Sequence, residues 1–154
     1  MINKTIKIPE KNTKSVFNSM RGAHVALRVP NFEASKQWYL EKLDFRVLHE
    51  WPFGDLQLAY LAPANDDNFY IELLAGGQPS PKQNYDDLGE SLHPAGYHHF
   101  CIDVESVDKT LEEMKKRNIK IVGEPFDLAV IGKRLAFISD IDGNLIELAE
   151  NINM

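Results

Sequence analysis

A chain of 154 residues with 44% hydrophobic side chains, one cysteine and a formal net charge of −6 carries enough apolar surface for one domain or two small fused modules. The lone Cys101 excludes an internal disulfide framework and fits a reducing, cytoplasmic setting, and no apolar run approaches the ~20 residues of a membrane span. The first 21 residues hold five basic side chains and one acid, so the remainder carries −10, which argues against nucleic acid or an anionic membrane surface as partner.

Residues 1–21, MINKTIKIPEKNTKSVFNSMR, have no apolar core of the kind a secretory signal needs, and they read as an N-terminal extension. A transit peptide is opposed by Glu10 and the scarcity of arginine. Next comes a strand, HVALRV from His24, with Val25, Leu27 and Val29 on one face and His24, Ala26 and Arg28 on the other. Asn31 is placed to cap a helix whose apolar side holds Ala34, Trp38 and the Tyr39, Leu40, Leu43 group. Three β-rich pieces follow, VLHEWPF, LQLAYLA and FYIELL. Residues 77–96, rich in Gly, Pro and polar side chains, read as a linker.

After the linker the chain repeats itself. HFCIDVESVDKTLEEMKKRNIKIV from His99 aligns without a gap on HVALRVPNFEASKQWYLEKLDFRV from His24, at an offset of 75, and the same offset places NLIELAEN on FYIELLAG. Ser106 stands where Asn31 did, Val107, Leu111 and Met114 form an i, i+4, i+7 stripe, and KIVGEPF, KRLAFIS and NLIELAE supply three further strands, the last after an Asp142-Gly143 turn. The expected fold class is α+β: two tandem βαβββ modules, 22–76 and 97–151, each too small to cover its own sheet, paired into a curved cup. Unpaired sheet edges point to a homodimer.

Strand alternation selects the side chains that can act together. His24 and His99 point away from the helix side. So do Glu72 and Glu147, because Ile71 and Leu73, and likewise Ile146 and Leu148, take the helix-facing positions. Two enclosed carboxylates would be costly without a counter-charge, and a divalent ion removes that cost. Two imidazoles and two carboxylates with no thiolate suit Zn, Ni, Co, Mn or Fe. His49, His93 and His98 lack repeat partners and are expected at the surface or in packing. Cys101 lies about 7 Å along the strand from His99, which sets it apart from a shared first shell. Asp140 and Asp142 read as turn residues. Trp51, Phe53, Tyr60, Phe69 and Tyr70 could stack on a ligand or fill the core.

Paired βαβββ modules opened by HVALRV and HFCIDV and closed by IELL and IELAE resemble the vicinal-oxygen-chelate superfamily, which includes glyoxalase I, methylmalonyl-CoA epimerases, extradiol dioxygenases and drug-resistance proteins. The resemblance covers residues 22–151, and the order His24, Glu72, His99, Glu147 is most similar to the bacterial glyoxalase I quartet. It implies a divalent metal held by those four residues and a small-molecule substrate. The reaction it implies is lyase or isomerase chemistry by proton transfer through a metal-bound enediolate, with Glu147 and Glu72 catalytic and Arg28 holding the substrate. In glyoxalase I an asparagine is expected four residues after the first glutamate, where this chain has Gly76. Asp103 stands at the repeat position of Arg28, where it could neutralise the guanidinium across the pseudo-twofold. An acyl-CoA epimerase, in which glutamine usually replaces Glu72, and a non-catalytic drug-binding protein are the alternatives.

Overall fold

The computed structural model describes residues 6–152, so part of the N-terminal extension, residues 1–5, lies outside the described residues. Residues 6–23 form turns but no helix or strand. The first module runs β1 (His24–Arg28), α1 (Phe32–Leu43), β2 (Arg46–Phe53), β3 (Leu56–Ala62) and β4 (Tyr70–Ala75). A short helix, α2 (Leu88–Ser91), interrupts the segment between the modules. The second module runs β5 (His99–Asp103), α3 (Val107–Lys116), β6 (Lys120–Leu128), β7 (Lys133–Ser139) and β8 (Leu145–Asn151).

Each module makes one four-stranded sheet, ordered β1-β4-β3-β2 and β5-β8-β7-β6. The opening strand pairs parallel to the closing strand, because the helix carries the chain across before the remaining strands return as antiparallel neighbours. Asn31 Oδ1 accepts from the Ala34 amide at 3.0 Å and Ser106 Oγ from the Lys109 amide at 3.4 Å, so both helices start at the predicted caps. Asp44 and Asn118 adopt left-handed backbone angles just beyond the two helices, a conformation these short polar residues tolerate.

One core joins the modules. Leu27, Val29, Ile71 and Leu73 from the first sheet and Phe100, Ile138, Ile146 and Leu148 from the second belong to a single buried cluster, with Phe69 and Phe100 rings 5.8 Å apart. The apolar stripe Val107, Leu111, Met114 of α3 is buried as its spacing required. Helix α1 departs from expectation: Ala34 is exposed, and the buried seam runs through Phe32, Ser35, Lys36 and Tyr39. Lys36 is paired with Glu33 and Glu50 of its own module, at 3.0 and 2.9 Å, whereas the β7–β8 turn of the other module reaches Ser35 and Tyr39. Ser35 Oγ donates to Asp142 Oδ2 at 2.5 Å and Tyr39 Oη to Asp140 Oδ2 at 2.6 Å.

Asp140 therefore does more than make a turn. It also accepts the Asp142 and Asn144 amides and the Asn144 side chain, at 2.7 to 2.9 Å, so a buried carboxylate is fully engaged and tied to the neighbouring module. Burial foremost, then the charge of Asp140, pushes the Tyr39 hydroxyl well above its ordinary range, so it stays a donor. Tyr39→Phe removes one donor from this charge and is expected to cost about 2 kcal/mol, lowering Tm by about 4–8 °C in a thermal melt.

At the helix C-termini the pairing has internal symmetry. Lys42 Nζ donates to the Arg117 carbonyl at 2.6 Å, and Arg117 Nη1 donates to the Lys42 carbonyl at 3.2 Å. These two residues are 75 apart, the repeat offset, so a local pseudo-twofold passes between them.

Candidate metal and substrate site

The faces of the sheets turned away from the helices carry the four candidate ligands. Burial of Val25, Leu27 and Val29 against the core forces His24, Ala26 and Arg28 outward, and the burial of Phe100 against the same core does likewise for His99, Cys101 and Asp103. His24 Nε2 lies 3.4 Å from Glu72 Oε2, and His99 Nε2 lies 3.3 Å from Glu147 Oε2. The histidine side chains are 32% and 30% exposed and the glutamates 15% and 17%, so each module presents a near-identical, reachable pair. Both separations exceed an ordinary N–H···O bond, as suits two donor atoms converging on a third party.

The structure brings His24 to Glu72 and His99 to Glu147. It does not gather all four within one chain: among the described residues no three His, Cys, Asp or Glu side chains come close enough to hold one ion. The two sheets share no hydrogen-bonded strand pair and meet through the helix-side core. The donor chemistry of the pairs, imidazole nitrogen beside carboxylate oxygen with no thiolate, fits a first-row divalent ion.

The surroundings of the two pairs differ. His24 is walled by aromatics, with Tyr60 and Tyr70 centroids at 5.4 and 5.5 Å and Trp51 4.5 Å beyond, against Tyr60. Of the five aromatics considered from sequence, these three line the site, Phe69 fills the core and Phe53 is 70% exposed. In the second module Phe137 takes the position of Tyr60, each being the cross-strand partner of the glutamate, and its ring meets that of His99 edge-on at 5.2 Å.

His98, expected to be a surface or packing residue, is bonded to the site. Its Nδ1 lies 2.7 Å from His99 Nδ1 and its Nε2 lies 2.9 Å from Ser91 Oγ. Burial, with the positive potential of His99 and Lys82, holds its pKa below the ordinary histidine value. The doublet itself was the available signal, but alternation assigns adjacent residues to opposite faces, and His98 precedes the strand. Cys101 is likewise nearer the site than distance along its own strand suggested. It is the cross-strand partner of Glu147, and desolvation, a hydrogen bond with Glu147 and that residue's charge push the thiol up to about 12.

Arg28 donates to the carbonyls of Val29 at 3.2 Å, Leu74 at 2.8 Å and Gly76. Asp103 does not neutralise it. That carboxylate pairs with Lys133 at 2.9 Å inside its own module, so the expected contact across the pseudo-twofold is replaced by two local ones. Gly76 is required where it stands: its φ is +119°, and a Cβ there would meet the Asp55 carbonyl at 2.6 Å. An asparagine at this position is thus incompatible with the turn that lets the Gly76 carbonyl reach Arg28. Beside Ala26 and Arg28 opens a cavity of about 560 Å³, lined also by Lys82, Tyr97, Asp142 and Asn144, of a size that takes a small molecule.

Two four-stranded sheets, each with a histidine on its first strand and a glutamate on its last, define a duplicated βαβββ protein. Residues 21–148 match the glyoxalase/bleomycin resistance protein/dioxygenase superfamily, and the chain belongs to that family. Methylmalonyl-CoA epimerase of Homo sapiens is 29% identical over 141 residues, covering 90% of this chain and 78% of that protein. Lactoylglutathione lyase of Neisseria meningitidis is 28% identical over 138 residues, covering 85% of this chain and 91% of that one. The crystal structure of a glyoxalase family protein from Enterococcus faecalis has the same fold, with a TM-score of 0.69 at 24% identity, covering 86% of this chain and 98% of that one. Proteins of this superfamily bind small molecules, and its glyoxalase members use divalent metal ions. Among the described residues no helix is long and apolar enough to cross a membrane.

Proposed function

We propose that this protein is a glyoxalase I-like, divalent-metal-dependent lyase or isomerase that moves a proton between neighbouring carbons of a small-molecule substrate. The observation that carries this reading is the equivalent placement of two His–Glu pairs, 3.4 and 3.3 Å apart, on the open faces of the two sheets. Such twin half-sites are useful only when they meet, and a second copy of the chain is the partner that supplies the missing half. His24 and Glu72 of one chain would then hold the ion with His99 and Glu147 of the partner subunit. When bound, a divalent ion supplies Lewis acidity that lowers the pKa of a carbon acid beside a carbonyl.

The chain's own groups perform the remaining work. A carboxylate oxygen of Glu147, with Glu72 facing it from the other half, takes the proton from one carbon and returns it to the adjacent one. Tyr60, Tyr70 and Trp51 wall the His24 side against water. Arg28, anchored on three carbonyls, contributes a fixed positive charge at the cavity wall for an anionic substrate tail.

Glu147→Gln is expected to lower hemithioacetal turnover by about 10²–10⁴-fold in the metal-loaded protein, the usual worth of a positioned general base. Unchanged turnover in that variant removes Glu147 from the proton transfer. A second reading, an acyl-CoA epimerase returning the proton to the same carbon, is favoured by the 29% identity to methylmalonyl-CoA epimerase over 90% of this chain. Solvent-deuterium exchange at the α-carbon of a methylmalonyl-CoA-type thioester, without hemithioacetal turnover, decides for it.

A further inference from the structure

The second half-site has a support that the first lacks. Ser91, on α2, is 2% exposed, and its hydroxyl donates to the Leu88 carbonyl at 2.6 Å. A serine has one hydroxyl hydrogen, so the contact from Ser91 Oγ to His98 Nε2 at 2.9 Å must run the other way, with the ring N–H donating. A neutral His98 protonated at Nε2 has a bare Nδ1. That atom can only accept, and at 2.7 Å its partner is His99 Nδ1, which must carry the hydrogen. His99 Nε2 is then left with a free lone pair on the side facing Glu147. The 3.3 Å separation there agrees, being too long for an N–H···O⁻ bond.

Helix α2 is itself held in place. Asp87 caps it by accepting the Glu90 amide at 3.0 Å, and Leu88 packs on the cluster of Val122, Phe137 and Leu145. Position 23, the counterpart of His98 in the first repeat, is alanine, and the His24 ring is held instead by Tyr60 and Tyr70.

We propose that Ser91 and His98 are positioning residues: a directed hydrogen-bond chain, His99 to His98 to Ser91 to the Leu88 carbonyl, fixes His99 as the Nδ1–H tautomer and presents its Nε2 lone pair. The segment between the two modules thereby becomes part of the site. The use of His99 as an ion ligand rests on the metal reading above, whereas its tautomer is a property of the metal-free protein.

The test is nitrogen NMR of the histidine rings in the metal-free full chain, followed by Zn²⁺ affinity measured by chelator competition. The expected spectrum has His99 pyrrole-type at Nδ1 and pyridine-type at Nε2, with the reverse for His98. His98→Leu is expected to mix the His99 tautomers and to weaken Zn²⁺ binding about 10–100-fold, the usual cost of losing the group that orients a ligating histidine. His98→Asn restores an acceptor beside His99 Nδ1 and is expected to recover most of that loss, which a packing role would not produce. Ser91→Ala, leaving His98 Nε2 without its acceptor, is expected to mix the tautomers of both rings. A wild-type His99 protonated at Nε2, or equal Zn²⁺ affinity in His98→Leu and wild type, overturns the proposal. The expected tautomers in a wild-type protein that binds no Zn²⁺ leave the relay standing and remove the metal reading instead.

Discussion

Two inactive variants, His24→Ala/Glu72→Gln and His99→Ala/Glu147→Gln, are expected to restore activity to each other. If each site takes one half from either chain, every site in either pure variant has one intact half and one broken half. In a heterodimer the broken halves combine in one site and the intact halves in the other. Random pairing makes half the dimers heterodimers, each with one working site of two, so the mixture should reach about a quarter of wild-type activity. Heterodimers isolated through two different tags after co-expression should reach about half, with one tightly bound metal ion per dimer instead of two. Were the sites completed within one chain, every site would keep a broken half and no mixture would recover. Null recovery in isolated heterodimers therefore removes the shared site, and the metal count reads the result even where the physiological substrate is not the one assayed.

The repeat and the alternation of its strands carried most of the architecture. HVALRV and HFCIDV each place one parity against the core and the other outward, and that single constraint sets His24, Glu72, His99 and Glu147 on the same kind of face. Within a module the pairing follows from register, since β1 and β4 are adjacent and parallel, as are β5 and β8. What alternation does not encode is the relation between modules. The β7–β8 turn landing on Ser35 and Tyr39 depends on tertiary packing across the repeat boundary, and it is why the buried seam of α1 is partly polar where its hydrophobic pattern pointed to Ala34. His98 and Ser91 were hidden for a related reason. Ser91 belongs to a segment whose composition reads as linker, His98 stands just ahead of β5, and neither has a repeat partner to mark it. Gly76 shows the opposite case, where a departure from the glyoxalase pattern is a backbone requirement of the turn that meets Arg28.

Adding a divalent ion to the metal-free protein is expected to raise Tm strongly, and both the size and the pattern of the rise are informative. Binding to the native state alone adds about 4 kcal/mol when the free ion is at 1,000 times its dissociation constant. For a chain of this size that is a rise in Tm of about 8–16 °C, reversed by a chelator. The effect has a local cause: in each pair the glutamate is only 15% or 17% exposed, so its charge is partly removed from water and an ion restores what solvent no longer supplies. An ion held jointly by two chains has a further signature, because it binds the dimer and not the separated subunit. The rise should therefore grow with protein concentration and should be largely lost in either half-site variant, although each keeps one complete His–Glu pair. A shift of equal size in wild type and in His99→Ala/Glu147→Gln would place the ion elsewhere on the protein. A rise independent of protein concentration, yet abolished by that variant, would mean that the two halves close on each other within one chain.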